Sequence, residues 1–338
     1  MTARRFHAIL HIGIGKTGTT TIQHALKAAR PTLPELGFCY PRTPGTQLHT
    51  ALCAYAEAAE PPPPWRRRRL PPPEPDFEQR LGEEIAALPA SVHTLVFSSE
   101  ALATLHSAAQ LARLRALLDP SCASYRVLVY LRRQDEWAVS NHTQLARIGK
   151  DRPVFHGEPR DFAPLLDRWA AAFGRDAVAP RIFSRSDLAE GDVLADFCAA
   201  CGLPRLPPAR DTPLNPALRA EAQAFLRQLG ALARARRPGF DPLGLPGYWP
   251  MVQRLNDAFA GHGPLPTRAE AEAYYAQCRA ANERVRAAWF PQRDTLFPED
   301  FSRYPEQAPP PPSAEQLLEV AARALAALLE HDEKSRAS

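Results

Sequence analysis

The residues best equipped to do chemistry stand in HIGIGKTGTTTIQ, residues 11–23, where one lysine and four threonines are threaded between Gly13, Gly15 and Gly18. An apolar run leads into this turn and a helical pattern leaves it. Backbone N–H groups at a helix start, the positive end of the helix dipole and several hydroxyls together make a cradle for one phosphate. Lys16 adds a mobile point charge able to offset the negative charge that collects on a departing oxygen, without a metal ion.

Two other machines use similar spacings. A dinucleotide-binding turn has G-x-G-x-x-G followed, about twenty residues on, by an acidic residue at the end of a second strand. Glu35 has the distance, but it lies in RPTLPELG, whose prolines exclude a strand. A nucleoside-triphosphate loop of the form G-x-x-x-x-G-K-[ST] would need glycine at position 10, which is Leu10. The later strands also lack an evident magnesium carboxylate: TLVFS runs into Ser99 and Glu100, and YRVLVYL runs into Arg132 and Arg133. A kinase-like protein or a non-catalytic nucleotide or anion binder remains the alternative.

A second constellation is VYLRRQDEWAVSN, residues 129–141. Arg132 ends a strand pattern, and Ser140 follows eight residues later on the expected helix. A guanidinium fork and a hydroxyl suit a second, separate phosphate; an ion pair of Arg132 with Asp135 is the structural alternative.

Three apolar runs read as buried parallel strands: 7–13 (HAILHIG), 94–98 (TLVFS) and 125–131 (YRVLVYL), with a weaker fourth at 180–184 (PRIFS). Strands alternating with helical patterns predict right-handed βαβ units and an α/β three-layer sandwich on a central parallel sheet. Ligands of such sheets bind at the carboxyl ends of the strands. From about residue 215 the pattern turns helical, with 217–235, 269–288 and 315–329 the clearest segments. The expected organisation is one domain over 1–305, a linker and a terminal helix over 306–338, and an insertion at 60–77 in which eight prolines flank four arginines.

The two motifs together carry a family resemblance. GKTGTTTIQ resembles the 5′-phosphosulfate loop of sulfotransferases, and YLRRQDEWAVS is similar to their 3′-phosphate motif, an arginine ending a strand with a serine eight residues on. RIFSRSDL and FCAACGLP are more loosely similar to a strand and helix of bacterial carbohydrate sulfotransferases. The resemblance implies a P-loop-type sulfotransferase fold and, as cofactor, 3′-phosphoadenosine 5′-phosphosulfate (PAPS), with the bisphosphate PAP as product. It implies that Thr17, Gly18, Thr19 and Thr20 bind the 5′-phosphate, that Lys16 stabilises the bridging oxygen, that Gly15 belongs to the same cofactor-binding loop, and that Arg132 and Ser140 hold the 3′-phosphate. The acceptor would be a hydroxyl of a glycan, glycolipid or related molecule. Such an acceptor needs a general base, which the family often places just beyond the strand preceding the 3′-phosphate strand. Glu100 occupies that position, with capping of a helix start as its structural alternative; His49, in TQLHTAL, is the second choice.

Bulk composition narrows the rest. The chain has 338 residues, 45% apolar and 23% charged, and a net charge of +4, without the broad basic field of a nucleic-acid binder. No run of about 18 apolar residues predicts a membrane span, and MTARRFHAILHIG reads as a first strand, so the expected location is the cytoplasm. The six cysteines do not make a disulfide scaffold in a chain of this length. Cys198 and Cys201 close a helical pattern before Gly202, which favours packing over redox or metal chemistry, and no metal is expected.

Overall fold

The computed structural model describes residues 4–61, 70–208, 217–236 and 242–337. Residues 62–69, which carry the arginine run of the 60–77 insertion, lie outside the described residues. In chain order the elements are β1 (Phe6–His11), α1 (Thr19–Ala29), β2 (Phe38–Cys39), α2 (Thr50–Glu57), α3 (Phe77–Ala86), β3 (Thr94–Ser98), α4 (Ala108–Leu118), β4 (Cys122–Leu131) and α5 (Gln134–Arg147). They continue as α6 (Ala163–Phe173), β5 (Val178–Ile182), α7 (Val193–Cys201), α8 (Ala220–Arg236), α9 (Tyr248–Ala258), α10 (Arg268–Ala276), α11 (Arg279–Trp289) and α12 (Ala314–Ala337).

Two compact units result: Met1–Arg132 with Asp161–Thr212 and Ala281–Phe297, and Arg133–Arg160 with Pro213–Ala280 and Pro298–Ser338. The first unit is the expected α/β layer structure. Its sheet has the order β2-β3-β1-β4-β5, with every pair parallel. The chain runs from β1 outward to β2, returns to β3 on one side of β1, and then crosses to β4 on the other. That reversal makes the carboxyl end of β1 the switch point, where such sheets open a crevice for ligands. Register puts His11 beside Ser98 on β3 and beside Leu128 on β4.

The strands form where apolar side chains can be buried on both faces. Ile9, Val96, Leu128 and Tyr130 meet Ile22, Ala25 and Leu26 of α1 and Leu194 and Phe197 of α7. α1 forms because its buried positions Thr19, Ile22, Gln23, Leu26 and Ala29 fall on one face at helical spacing. α4 contacts both α2 and α6 in a second helical layer, with α6 against β4 and β5. α7 ends, as expected, at Gly202 in the left-handed conformation.

One ion pair ties α7 to the sheet. Arg181 donates two hydrogen bonds to the buried Asp196 carboxylate, Tyr130 Oη donates a third at 2.9 Å, and Ala189 N a fourth at 3.3 Å. Burial alone would push the Asp196 carboxyl up, but these bonds hold it below its ordinary value. A depressed carboxyl pKa contributes stability above the unfolded value, near 4, that is lost as pH falls through the folded value. Asp196→Ala is therefore expected to destabilise the protein by about 3 kcal/mol at neutral pH, at the low end for a broken buried pair because Arg181 is partly exposed. Urea titrations of both proteins should show that difference shrinking below about pH 4.

The second unit is helical. Ala222 and Leu226 of α8, Met251, Val252 and Leu255 of α9, and Val320, Ala324 and Ala327 of α12 form its core. At the start of α5, the buried Arg133 grips Asp135 in a two-pronged pair at 2.8 and 2.9 Å and donates to the carbonyls of Pro298 and Asp300. No helix among the described residues is long and apolar enough to cross a membrane.

Candidate functional site

Three neighbouring strands of the first unit deliver the candidate residues at their carboxyl ends: β1 leads into the Lys16 loop, β3 into Glu100, and β4 into Arg132. The loop needs two unusual backbone positions. Gly15 has φ 75° and Gly18 has φ 72°, left-handed values that favour glycine. A Cβ on Gly18 would also fall 2.6 Å from Val193 Cγ1, so the start of α7 wedges directly against the loop.

Beyond Gly18 the cradle is open. The first backbone bond of α1 runs from Ile22 N to Gly18 O at 3.2 Å, which leaves the N–H groups of Thr19, Thr20 and Thr21 without helical acceptors. The first turn of α1 carries no acidic residue. Thr17 Oγ1 and Thr19 Oγ1 are buried and have no hydrogen-bond partner among the described residues. Orphaned buried hydroxyls are rare because each forfeits its solvation. Two of them beside open N–H groups suit an oxyanion ligand.

Glu100 begins a short 3-10 turn, Glu100–Thr104. The cap there is supplied by Ser99, whose hydroxyl accepts from Ala101 N at 3.3 Å. The Glu100 carboxylate makes no hydrogen bond or ion pair among the described residues, and Oε2 lies 3.5 Å from where a Cβ on Gly15 would stand. Glu100 therefore faces the Lys16 loop as an uncommitted carboxylate.

His49 is placed differently. It stands at the N-cap of α2, fully buried, stacked on Tyr40 at 4.2 Å between ring centres. Its Nε2 meets Pro41 O at 2.9 Å and its Nδ1 accepts from Ser98 N at 3.3 Å, so both ring nitrogens are engaged by backbone. Burial, with Arg30 nearby, pushes its pKa down to about 3, which keeps the ring neutral.

The two adjacent arginines divide their work. Asp135 pairs with Arg133, not with Arg132. Arg132 Nη1 donates instead to the carbonyl oxygen of Lys16 at 2.8 Å, and its guanidinium lies 5.3 Å from the centre of the Phe183 ring. Ser140 lies in the second unit, half-buried on α5.

Beneath the loop is a polar cluster that sequence reading missed. His11 Nδ1 meets Ser98 Oγ at 2.8 Å, and Gln23 Nε2 donates to the same hydroxyl at 3.1 Å. All three are buried, and burial pushes the His11 pKa down to about 3. The available signal was one polar residue inside each of three apolar faces. Val193 and Phe183 were also missed as neighbours of the site. Phe183 lies one residue past β5, in the RIFSRSDL segment already noted for its resemblance.

No protein-family model matches the chain. An uncharacterized protein of Archaeoglobus fulgidus is 26% identical over 221 residues, a stretch that covers 63% of this chain and 59% of that protein. The chain thus spans less than two thirds of that relative's length. The crystal structure of a sulfotransferase from Alicyclobacillus acidocaldarius aligns with a TM-score of 0.37 and 16% identity, covering 69% of this chain and 94% of that one. Neither similarity assigns the chain to a family.

Proposed function

We propose that this chain is a sulfotransferase that moves a sulfuryl group from PAPS to a hydroxyl of a glycan, glycolipid or related acceptor. The observation that carries the reading is the pair of buried hydroxyls on Thr17 and Thr19, without a hydrogen-bond partner among the described residues and set among the open N–H groups of α1. When bound, PAPS supplies an activated sulfuryl group on its 5′-phosphate.

The residues then take distinct roles. Thr17, Gly18, Thr19 and Thr20 bind the 5′-phosphate through N–H and hydroxyl groups. Lys16 would place its ammonium beside the oxygen between phosphate and sulfuryl and offset the charge gained there as its bond to sulfur breaks. Arg132 takes the 3′-phosphate, and Ser140 enters on its sequence spacing from Arg132. Glu100 accepts the proton of the acceptor hydroxyl as its oxygen bonds to sulfur. Glu100 is preferred to His49 because its carboxylate is uncommitted beside the loop, whereas both His49 nitrogens are bonded to backbone.

Ligand-dependent unfolding tests the reading. PAP at about a hundredfold excess over its Kd should raise Tm by about 5 °C, and radiolabelled sulfate should pass from PAPS to oligosaccharide acceptors. A shift with ATP and magnesium but none with PAP would replace sulfuryl transfer with phosphoryl transfer.

A further inference from the structure

We infer that Arg132 is a positioning residue as well as a phosphate ligand: it holds Lys16 in its left-handed conformation and so couples the two ends of the nucleotide. The inference rests on the sulfotransferase reading of the loop.

Lys16 has φ 59°, a value that a side-chain-bearing residue adopts uncommonly. Its neighbours in the turn, Gly15 and Gly18, adopt left-handed values as glycines do, but Lys16 is not a glycine and has no short polar side chain to bond its own backbone. For such a residue the left-handed state is disfavoured by about tenfold in population. Something outside the residue must hold it there.

Arg132 does so from the neighbouring strand. Its Nη1 donates to Lys16 O at 2.8 Å, and the Phe183 ring lies against the guanidinium. Rotation of Lys16 back to a right-handed or extended conformation would turn that carbonyl away and break the bond. While it holds, the Lys16 side chain leaves the loop in one direction and the following N–H groups keep their orientation toward the cradle. A guanidinium has five donors in a fixed fork, so it can serve a carbonyl and a phosphate together. The nucleotide's 3′-phosphate and the ammonium that acts at the other end thereby share one anchor.

Calorimetric titration with adenosine 5′-phosphate, which lacks the 3′-phosphate, separates this role from simple phosphate contact. Arg132→Ala should weaken adenosine 5′-phosphate about tenfold, and PAP further still. In a Lys16→Gly background the same substitution should leave adenosine 5′-phosphate affinity unchanged within about twofold, because glycine takes the left-handed conformation unaided. Arg132→Met, which keeps bulk beside Phe183 and removes the donors, gives the same comparison should the alanine variant fail to fold. If adenosine 5′-phosphate affinity is indifferent to Arg132 while PAP affinity falls, the positioning role is overturned and the sulfotransferase reading stands. A tenfold loss that persists in the Lys16→Gly background likewise overturns it. If the unsubstituted protein binds neither nucleotide, the reading itself fails and the inference goes with it.

Discussion

Lys16→Met is expected to lower the rate of sulfuryl transfer by about 10²–10³, while PAP affinity falls by no more than about tenfold. Methionine keeps most of the length of the lysine and removes the charge. The asymmetry follows from when the charge is needed. In the ground state the bridging oxygen carries little negative charge, and on the proposed reading the 5′-phosphate would already be held by the open N–H groups of α1 and by the Thr17 and Thr19 hydroxyls. As the bond to sulfur breaks, charge gathers on that oxygen, and an ammonium there stabilises the transition state selectively. PAP has no sulfuryl group and so reports only the ground-state part. Rates at saturating PAPS and calorimetric PAP titration give the two quantities. Equal losses in both would make Lys16 a uniform binding residue and move the charge-stabilising role elsewhere. Lys16→Arg should not restore the rate, because a planar fork cannot stand in for a compact ammonium in a left-handed turn wedged by Val193.

The parts of this site that are local in sequence were legible there, and the parts that depend on distant segments were not. β1, β3 and the carboxyl half of β4, Val127–Leu131, could be read because each is an apolar run buried on both faces and bounded by polar residues. β2 could not: it has two residues and follows a proline-bearing 3-10 turn, Leu33–Leu36, so it carries no periodicity of its own. That turn also contains Glu35, in agreement with the exclusion of a strand there. α9 escaped notice because Pro250 reads as a breaker. It lies in the first turn of the helix, where a missing N–H forfeits no helical bond. The segment 269–288 reads as one helix but is two, α10 and α11, parted at Gln277 and Cys278.

The same division holds for the side chains of the candidate site. Lys16, Thr17, Gly18 and Thr19 announce a cradle because their spacing is fixed by one turn. For Arg132 and Arg133, type and spacing allow either to pair with Asp135, and only the fold separates the one that grips Asp135 from the one that reaches Lys16 O. Ser98 shows no sign of its role in sequence, since its partners His11 and Gln23 are 87 and 75 residues away. His49 drew attention by residue type alone, while its engagement by Pro41 and Ser98 is a property of the packed core.

Glu100→Gln should have the largest effect of any single substitution on the chemical step, a loss of about 10²–10⁴ in kcat, with PAP affinity unchanged within about twofold. Glutamine preserves the shape of the side chain against Gly15 and removes its capacity to accept a proton, so the substitution isolates proton transfer from packing. The nucleotide should be indifferent to it, because the carboxylate supplies no donor to a phosphate, and its charge, if anything, opposes one. Single-turnover transfer from PAPS to an oligosaccharide, paired with PAP titration, measures both halves. The comparison protein is His49→Phe, which keeps the stacking on Tyr40 but loses the bonds to Pro41 O and Ser98 N, and is expected to lower stability by about 1–3 kcal/mol. Transfer by the folded fraction of His49→Phe should stay within about threefold of the unsubstituted rate, since a buried neutral ring with both nitrogens bonded to backbone has no proton-accepting site to lose. The reverse pattern, with full turnover in Glu100→Gln and loss in folded His49→Phe, would require the ring to leave Pro41 when the acceptor binds and would transfer the base assignment to His49.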